Sequence, residues 1–205
     1  MNHRGDVVAA ALVVLEAEGL DGLTMRKVGA RIGVQPGALY RHFPHKRALL
    51  EALADKLIEG VGAQLPDGDW RQQLTAIAQR SRTALLSHRD AARVVAGTFV
   101  VEPNSVAVAR AAVDALVAAG LSPTRASWAV LVLLHYVLGH TIEEQAQAEL
   151  VAEGEWDTKR EEAKGRVDAQ HAEAFDAGFT STPQERFDYG VATFLAGIER
   201  DLADT

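Results

Sequence analysis

Cysteine is absent from the 205-residue sequence, which excludes disulfide bonds and metal sites built on thiolates. No uninterrupted run of about eighteen apolar residues occurs either, so no segment is expected to span a membrane. The apolar stretch after Arg4 is closed by Glu16 and Glu18 without a small-residue cleavage site, so we expect a helix of the folded protein rather than a signal peptide. The alternation of apolar and polar residues that marks strands is also missing. Because the apolar residues follow helical spacing and no strand pattern is present, the sequence predicts an all-α protein.

The net charge of −7 is unevenly distributed along the chain. Residues 1–50 carry seven Lys and Arg against four Asp and Glu, a balance of +3, which leaves −10 for the remaining residues. A basic first part on an acidic remainder is typical of a protein that contacts nucleic acid through one end only. Uneven surface charge also occurs in proteins that bind no nucleic acid, so the charge distribution indicates nucleic-acid binding only together with a sequence motif.

Residues 24–53, TMRKVGARIGVQPGALYRHFPHKRALLEAL, have the layout of a helix-turn-helix. Thr24 is placed to cap a first short helix, and Gly33 suits the left-handed conformation that ends it. Pro36 favours the first position of a second helix, where its missing N–H costs nothing. We expect that second helix to run to about Phe43. Its outer face is basic and aromatic, which an ordinary helical hairpin does not explain.

These residues carry a resemblance to the TetR (tetracycline repressor) family, whose recognition helix ends in the pattern LY-x-HF-x-x-K-x-x-L. The matching positions are Leu39, Tyr40, His42, Phe43, Lys46 and Leu49. ALLSHRD at 84–90, Thr98, and the pattern H-Y-x-L-G-x-x-x-E at 135–143 resemble the regulatory domain of the tetracycline-repressor branch. The resemblance implies an all-helical homodimer in which the long apolar helix and the final helix of each subunit pack as a four-helix bundle.

The resemblance also implies that double-stranded DNA is a partner and which residues contact it. Phosphates would be held by Arg26, Lys27, Tyr40, His42 and Lys46. Bases would be read by Gln35, Arg41 and the surface formed by Pro36, Gly37 and Ala38. Arg41 suits a phosphate as well as a guanine, and both remain open. Two recognition helices one DNA turn apart, about 34–36 Å, predict an inverted-repeat operator.

Turn residues Pro66-Asp67-Gly68 predict the boundary between a DNA-binding domain, residues 1–62, and a ligand-binding and dimerisation domain, residues 67–205. We call the first domain the head and the second the body. In the head, a first helix is expected from Arg4 to about Glu18 and a linking helix from Lys46 to about Val61. In the body, helices are expected over 70–87, 91–98, 105–119, 122–152 and 183–202.

Several local features of the body follow from its sequence. Asp69 and Thr182 each begin a capping-box pattern, and Asp90 is expected to cap the helix that starts at 91. Residues 126–139 are nearly apolar on all sides, which predicts burial in the body or in a subunit contact. The charged, glycine-punctuated stretch 153–180 is expected to be a mobile, partly helical connection.

An effector site is expected on the long helix of the body. One stripe of that helix, at 3.6 residues per turn, carries Trp128, Val132, His135, Gly139 and Glu143. Spacing alone also fits a core tryptophan, a hydrogen-bonded core histidine and a solvated glutamate. The resemblance favours the effector site, because it implies that a small-molecule inducer binds beside Thr98, His135 and Glu143, and that residues 91–98 pass the change to the linking helix.

The family's tetracycline contacts are not all present. The resemblance places Gly62, Ile77, Ser81 and Val95 where polar or aromatic contacts to the drug are expected. Val95 stands where the family's histidine holds the drug's magnesium ion, and it offers no donor atom to a divalent cation. We therefore expect an inducer more apolar than a magnesium–tetracycline chelate, and no cofactor.

Two further motifs, one kinase-like and one metal-compatible, offer alternatives to a DNA-binding regulator. His88-Arg89-Asp90 matches the catalytic motif of kinases, but the sequence has no glycine-rich phosphate loop beside it, so no enzyme is expected. His140 has metal-compatible spacing to Glu143 and Glu144, but two or three ligands do not commit a site, and no metal is expected. A cytoplasmic one-component repressor is the main expectation. The alternatives are an activator of the same fold, or an effector-binding helical dimer without specific DNA binding.

Overall fold

The computed structural model describes residues 4–98 and 101–204, and no strand occurs in these ranges. Residues 1–3, 99, 100 and 205, which fall within the predicted domains, lie outside the described residues. The helices are α1 Arg4–Gly22, α2 Met25–Arg31, α3 Pro36–Leu39, α4 Lys46–Leu57, α5 Trp70–Leu86, α6 Ala91–Ala96, α7 Pro103–Ala118, α8 Pro123–Ala152, α9 Trp156–Lys164, α10 Ala172–Thr180 and α11 Pro183–Ala203. The predicted all-α class is confirmed.

The turn chemistry predicted for the head is present. The Thr24 hydroxyl accepts a hydrogen bond of 3.3 Å from the backbone N–H of Lys27 at the start of α2. Gly33 has a φ of +73° between α2 and α3, and Pro36 is the first residue of α3. Gly29 is equally constrained, because a Cβ there would lie 2.8 Å from the carbonyl oxygen of Val34. These features bring α2 and α3 into contact across a tight turn, in the arrangement of a helix-turn-helix.

The recognition helix is shorter than predicted. It ends at Leu39 rather than near Phe43, and the N–H groups of His42 and Phe43 both donate to the Leu39 carbonyl oxygen at 2.9 Å in a tight turn. Pro44 disfavours helical geometry at Phe43, the residue before it, and the earlier end at Leu39 belongs to the turn of residues 40–42. His45 then begins α4, where its Nδ1 accepts from the Ala48 N–H at 3.0 Å.

Other helix ends also differ from the predictions. α1 continues beyond Glu18 to Gly22 across a kink at Gly19, whose φ is +71°. The linking helix α4 ends at Leu57 rather than near Val61. α6 ends at Ala96 rather than 98, and α7 begins at Pro103 rather than 105. Pro103 accounts for that earlier start, because proline is favoured in a first helical turn.

Asp90 does not cap α6 with its side chain, so that prediction was wrong. Its φ is 55° and its carboxylate makes no cap hydrogen bond to α6. The carboxylate instead accepts from the Leu20 N–H of α1 at 2.7 Å and from Arg93 at 2.9 Å. Burial acts to raise the pKa of Asp90, but these donors more than offset it and leave the pKa below its ordinary value. Asp90 therefore joins the body to the kink of α1.

A row of polar contacts surrounds this junction. His88 and Glu16 approach to 2.6 Å, and Arg93 reaches Asp21 at 3.3 Å. Beneath these contacts the buried apolar core is continuous from head to body, with Leu15 and Leu53 of the head in the same cluster as Leu116 of the body. Head and body are therefore packed against each other and not simply tethered.

The linking helix is also bonded to the start of α7. Asp55, which is only 8% exposed, accepts from the Ser105 N–H at 2.9 Å and from the Ser105 hydroxyl at 3.2 Å. Its second carboxylate oxygen accepts from the Asn104 amide at 2.9 Å. Glu102, the residue that precedes α7, makes no side-chain cap bond. Asp55 thus supplies from another helix the cap that α7 lacks.

The stretch 153–180 contains two helices, α9 and α10, which confirms its predicted partial helicity. Arg160 and Lys164 both bond Asp176, at 2.7 and 3.0 Å. Trp156 and Phe179 approach with their ring centroids 5.6 Å apart. The mobility of this connection stays a prediction.

The long helix α8 is buried on one side only. Leu133 and Val137 are buried in the body, whereas Trp128 and Val132 are 64% and 56% exposed. Among the described residues, α8 is the helix that is long and apolar enough to cross a membrane by length and composition. That property was not expected from the sequence, because no unbroken apolar run of about eighteen residues is present. One such helix is weak evidence of a membrane span, because core helices of water-soluble proteins pass the same test. The exposed apolar side fits the second of the two predicted environments, a subunit contact.

Candidate DNA-binding surface and effector cavity

The predicted DNA-reading residues lie together on one surface of the head. Leu39 and Phe43 are fully buried and anchor α3 and the turn after it in the core. The exposed members are Gln35, Gly37, Tyr40, Arg41 and His42, and the half-buried ones are Pro36, Ala38 and Lys46. This surface offers amide, phenol, guanidinium, imidazole and ammonium groups to a groove.

The predicted phosphate contacts of α2 differ in their surroundings. Arg26 is exposed, whereas Lys27 is half-buried and its ammonium group is paired with Glu18 of α1. Lys46, at the start of α4, forms no ion pair with any residue of the described ranges. Its neighbour Arg47 is paired with Glu51 at 3.1 Å.

Two supporting residues of the head were not found from the sequence. The Arg4 guanidinium lies over the Phe43 ring, 4.6 Å from its centroid, and so connects α1 to the end of the recognition segment. His45 caps α4, although histidine is not among the residues usually preferred at this position. The capping role of His45 could have been predicted from its position three residues before Ala48, at the start of an apolar helical pattern.

A cavity of about 510 Å³ lies in the body between α5, α7 and α8, next to α6. Its walls are almost wholly apolar. They are formed by Ile58, Ile77, Ala78, Ser81, Val95, Ala96, Thr98, Ser105, Val108, Ala109, Ala112, Val130, Leu131, Leu133, Leu134, His135, Val137, Leu138, Gly139 and Ile142. The volume is within the range of about 300–1,000 Å³ common for small-molecule sites.

The cavity brings together most of the predicted effector residues but not all. Those that line it are Ile77, Ser81, Val95, Thr98, His135 and Gly139. Trp128 and Val132 instead line a groove between α8 and α11. Glu143 is exposed on α8 and lines neither. The predicted stripe of α8 is therefore divided between two surfaces.

The hydroxyl groups of the cavity wall differ in whether they already have partners. Thr98 donates to the carbonyl oxygens of Val94 and Val95 at 3.0 and 3.1 Å. The Ser105 hydroxyl donates to Asp55 of the linking helix. Ser81 is 8% exposed, and its hydroxyl bonds no residue that the structure describes. Ser81 is therefore available to a ligand.

His140 and Glu144, which have metal-compatible spacing, are engaged with protein groups. The His140 Nε2 lies 3.0 Å from the Pro183 carbonyl oxygen, and both oxygens of Glu144 bond Arg82, at 2.6 and 2.7 Å. Burial is the largest influence on His140 and, with Arg82 and Arg186, lowers its pKa despite the opposing effects of Glu144 and the Pro183 carbonyl. No group of three metal-binding side chains occurs in residues 4–98 and 101–204.

Comparison with known proteins agrees with this arrangement over nearly the whole chain. The family described as "Bacterial regulatory proteins, tetR family" matches residues 7–53. The family described as "Tetracyclin repressor-like, C-terminal domain" matches residues 62–202. The two matches correspond to the helix-turn-helix and to the part that contains the cavity.

Individual relatives match at similar length. The tetracycline repressor protein class G of Vibrio anguillarum is 38% identical over 201 residues, which cover 96% of this chain and 93% of that protein. The crystal structure of a possible TetR family transcriptional regulator from Streptomyces coelicolor A3(2) is 34% identical and has a TM-score of 0.85. The match covers 97% of this chain and 99% of that chain. BioQ, solved with its double-stranded DNA operator, is 29% identical with a TM-score of 0.74, over 97% of this chain and 98% of that one.

The family is a class of transcription regulators and not of enzymes. The helix-turn-helix geometry, the apolar cavity in the larger domain and the two family matches lead to one conclusion: this chain belongs to the TetR family of transcriptional regulators.

Proposed function

We propose that this regulator is a cytoplasmic repressor that binds an inverted-repeat operator as a homodimer and is released by a small-molecule effector. The observation that carries the proposal is the coexistence of two surfaces in one chain. One is the exposed polar face of α3 and the turn after it, and the other is the apolar cavity of the body. BioQ, with the same fold, binds a double-stranded operator, which supports the DNA part of the proposal.

The homodimer would form through α8 and α11. Their shared groove exposes Trp128 beside Phe194 and Ile198, and Tyr189 of α11 is 77% exposed. Apolar surface of this kind is usually covered in a stable assembly. Two copies joined here would present two heads, which fits two half-sites about 34–36 Å apart on DNA.

Release would be transmitted from the cavity through α6. Val95 and Thr98 line the cavity, and Arg93 and Asp90, at the same helix, bond α1 of the head. A ligand against Val95 and Thr98 therefore acts on the segment that holds the head. The protein has two arrangements that differ in head position. A ligand whose binding free energies to these two arrangements differ by about 1.4 kcal/mol shifts the ratio of their populations about tenfold.

The effector is proposed not to be a magnesium–tetracycline chelate. Val95 lines the cavity without a donor atom, and Glu143 lies outside the cavity wall. A hard divalent cation requires oxygen or imidazole ligands, and His135 is the one such imidazole among the lining residues. Titration with tetracycline tests this point: sub-micromolar, magnesium-dependent binding would contradict it.

Lys46 and Arg47 test the proposed DNA contact as a neighbouring pair. With a duplex selected for binding, Lys46→Ala should weaken affinity at all sequences alike and reduce the slope of log K against log salt by about 1, as expected for one lost phosphate contact. Arg47→Ala is the control, because Arg47 is paired with Glu51. Equal salt slopes in Lys46→Ala and the unmodified protein would contradict the assigned role of Lys46.

A further inference from the structure

No Lys, Arg, Asp or Glu is among the described residues that line the cavity of the body, and His135 is the one ionisable side chain in that lining. A carboxylate or an ammonium group that entered it would lose hydration without gaining a Lys, Arg, Asp or Glu as a counter-charge, which is unfavourable. Apolar atoms lose no such hydration energy, and their burial is favourable. The wall composition therefore selects against both signs of charge.

Ser81 is one of the few polar residues in this largely apolar wall, with Thr98, Ser105 and His135. It lies on α5, it is 8% exposed, and it lines the cavity without a hydrogen-bond partner among the described residues. The Ser81 hydroxyl oxygen is not enclosed by protein atoms, so a ligand group in the cavity can reach it and gain affinity from the hydrogen bond. The hydroxyl hydrogens of Thr98 and Ser105 are already donated to protein oxygens, which leaves Ser81 as the hydroxyl donor of the wall.

We infer that the effector is a neutral, largely apolar, drug-sized molecule whose carbonyl or hydroxyl group is hydrogen-bonded by Ser81. This inference rests on the proposed function, because it specifies the ligand of the proposed effector cavity. Ser81 is then a specificity-determining residue: it positions the polar group of the ligand, while the apolar walls reject an ionised analogue.

A pair of fluorescent probes of nearly equal shape isolates the effect of charge. 2-Acetylanthracene is neutral and carries a carbonyl group, whereas anthracene-2-carboxylate replaces its methyl group with an anionic oxygen. We expect saturable binding of the ketone at one site per chain. The carboxylate should bind at least about tenfold more weakly, because it must be desolvated in a wall without positive charge.

Three variants show where the ketone binds. Ser81→Ala should weaken its binding about fivefold, as expected for one hydrogen bond. Gly139→Trp should reduce binding at least about tenfold, because a side chain at Gly139 meets no atom within 4 Å of its Cβ and can fill the cavity without displacing the core. Ser87→Ala is the matched control, since Ser87 ends the same helix outside the cavity and bonds only Thr83.

The outcomes separate this inference from the proposed function. Equal or tighter binding of the carboxylate, absence of ketone binding, or ketone binding unaffected by both Ser81→Ala and Gly139→Trp would overturn the inference. Operator binding is measured on the same preparations. If operator binding persists in any of these cases, only the effector class is wrong. If the ketone binds as expected but no DNA sequence is selected, the effector class stands and the regulatory function fails.

Discussion

At the scale of single residues, His140 has a metal-compatible spacing to Glu143 and Glu144, but its side chain contributes to the packing of the fold. Its ring packs against those of Tyr136 and Phe187, with centroid distances of 5.8 and 5.2 Å, and its Nε2 donates to the Pro183 carbonyl oxygen. It therefore connects α8 to the start of α11. Burial favours the neutral ring at this place, because it lowers the pKa of His140.

His140 gives a pH-dependent contribution to stability. Its folded pKa is below the ordinary value of 6.5, so the unfolded chain binds the proton more tightly. Stability from His140 is complete above that ordinary value and is lost as pH falls through the lower folded pKa. The unmodified protein should lose more thermal stability than His140→Gln between about pH 7 and pH 5, as measured by calorimetry at fixed protein concentration. Parallel losses in the two proteins would contradict this.

Residue-level prediction from sequence succeeded where a residue acts on its own backbone neighbourhood. Thr24 and Gly33 are examples, since capping and left-handed turns depend on positions only a few residues away. It failed for Asp90, whose carboxylate bonds Leu20, a residue 70 positions earlier. Nothing in the local sequence around Asp90 specifies that partner.

At the scale of helices, the Asp55 side chain caps α7 and so connects the linking helix α4 to the cavity. Ser105 is bonded to Asp55 and also lines the cavity. The sequence predicted α4 and α7 as separate helices. It could not predict this link, because a cap supplied from another helix leaves no pattern at the helix that receives it.

Asp55→Asn should destabilise the protein by about 1–3 kcal/mol, because a buried acceptor of three donors loses its charge and one of its acceptor oxygens. Urea unfolding at fixed protein concentration measures the change. Glu59→Gln is the control: Glu59 pairs with Lys56 at the exposed surface, and such pairs contribute about 0–1 kcal/mol. Equal midpoints for the two variants would show that Asp55 does not hold the start of α7.

At the scale of the whole molecule, two surfaces divide one stripe of α8 along its length. His135 and Gly139 face the cavity, whereas Trp128 and Val132 face the groove with α11. The sequence placed all four in one stripe, because it assumed that one helix face serves one site. The division depends on how α5, α7 and α11 pack around α8, which the periodicity of α8 alone does not contain.

Trp128→Glu should convert the proposed homodimer to monomers at micromolar concentration, because a charge would be buried in the apolar contact. Sedimentation equilibrium measures the change in mass, and operator affinity should fall with it, since two half-sites are no longer held together. Val106→Glu is the control, because Val106 is 51% exposed on α7 and lines neither the cavity nor the groove. A dimeric Trp128→Glu protein would contradict the proposed interface.

The central claim is that this chain is a sequence-specific DNA-binding dimer. Its most direct test is selection of bound duplexes from random DNA with the purified protein. The proposed function predicts enrichment of one inverted repeat whose half-sites are about one helical turn apart. Binding that is sensitive to salt but enriches no sequence would contradict it, and would leave an effector-binding helical protein whose head does not read DNA.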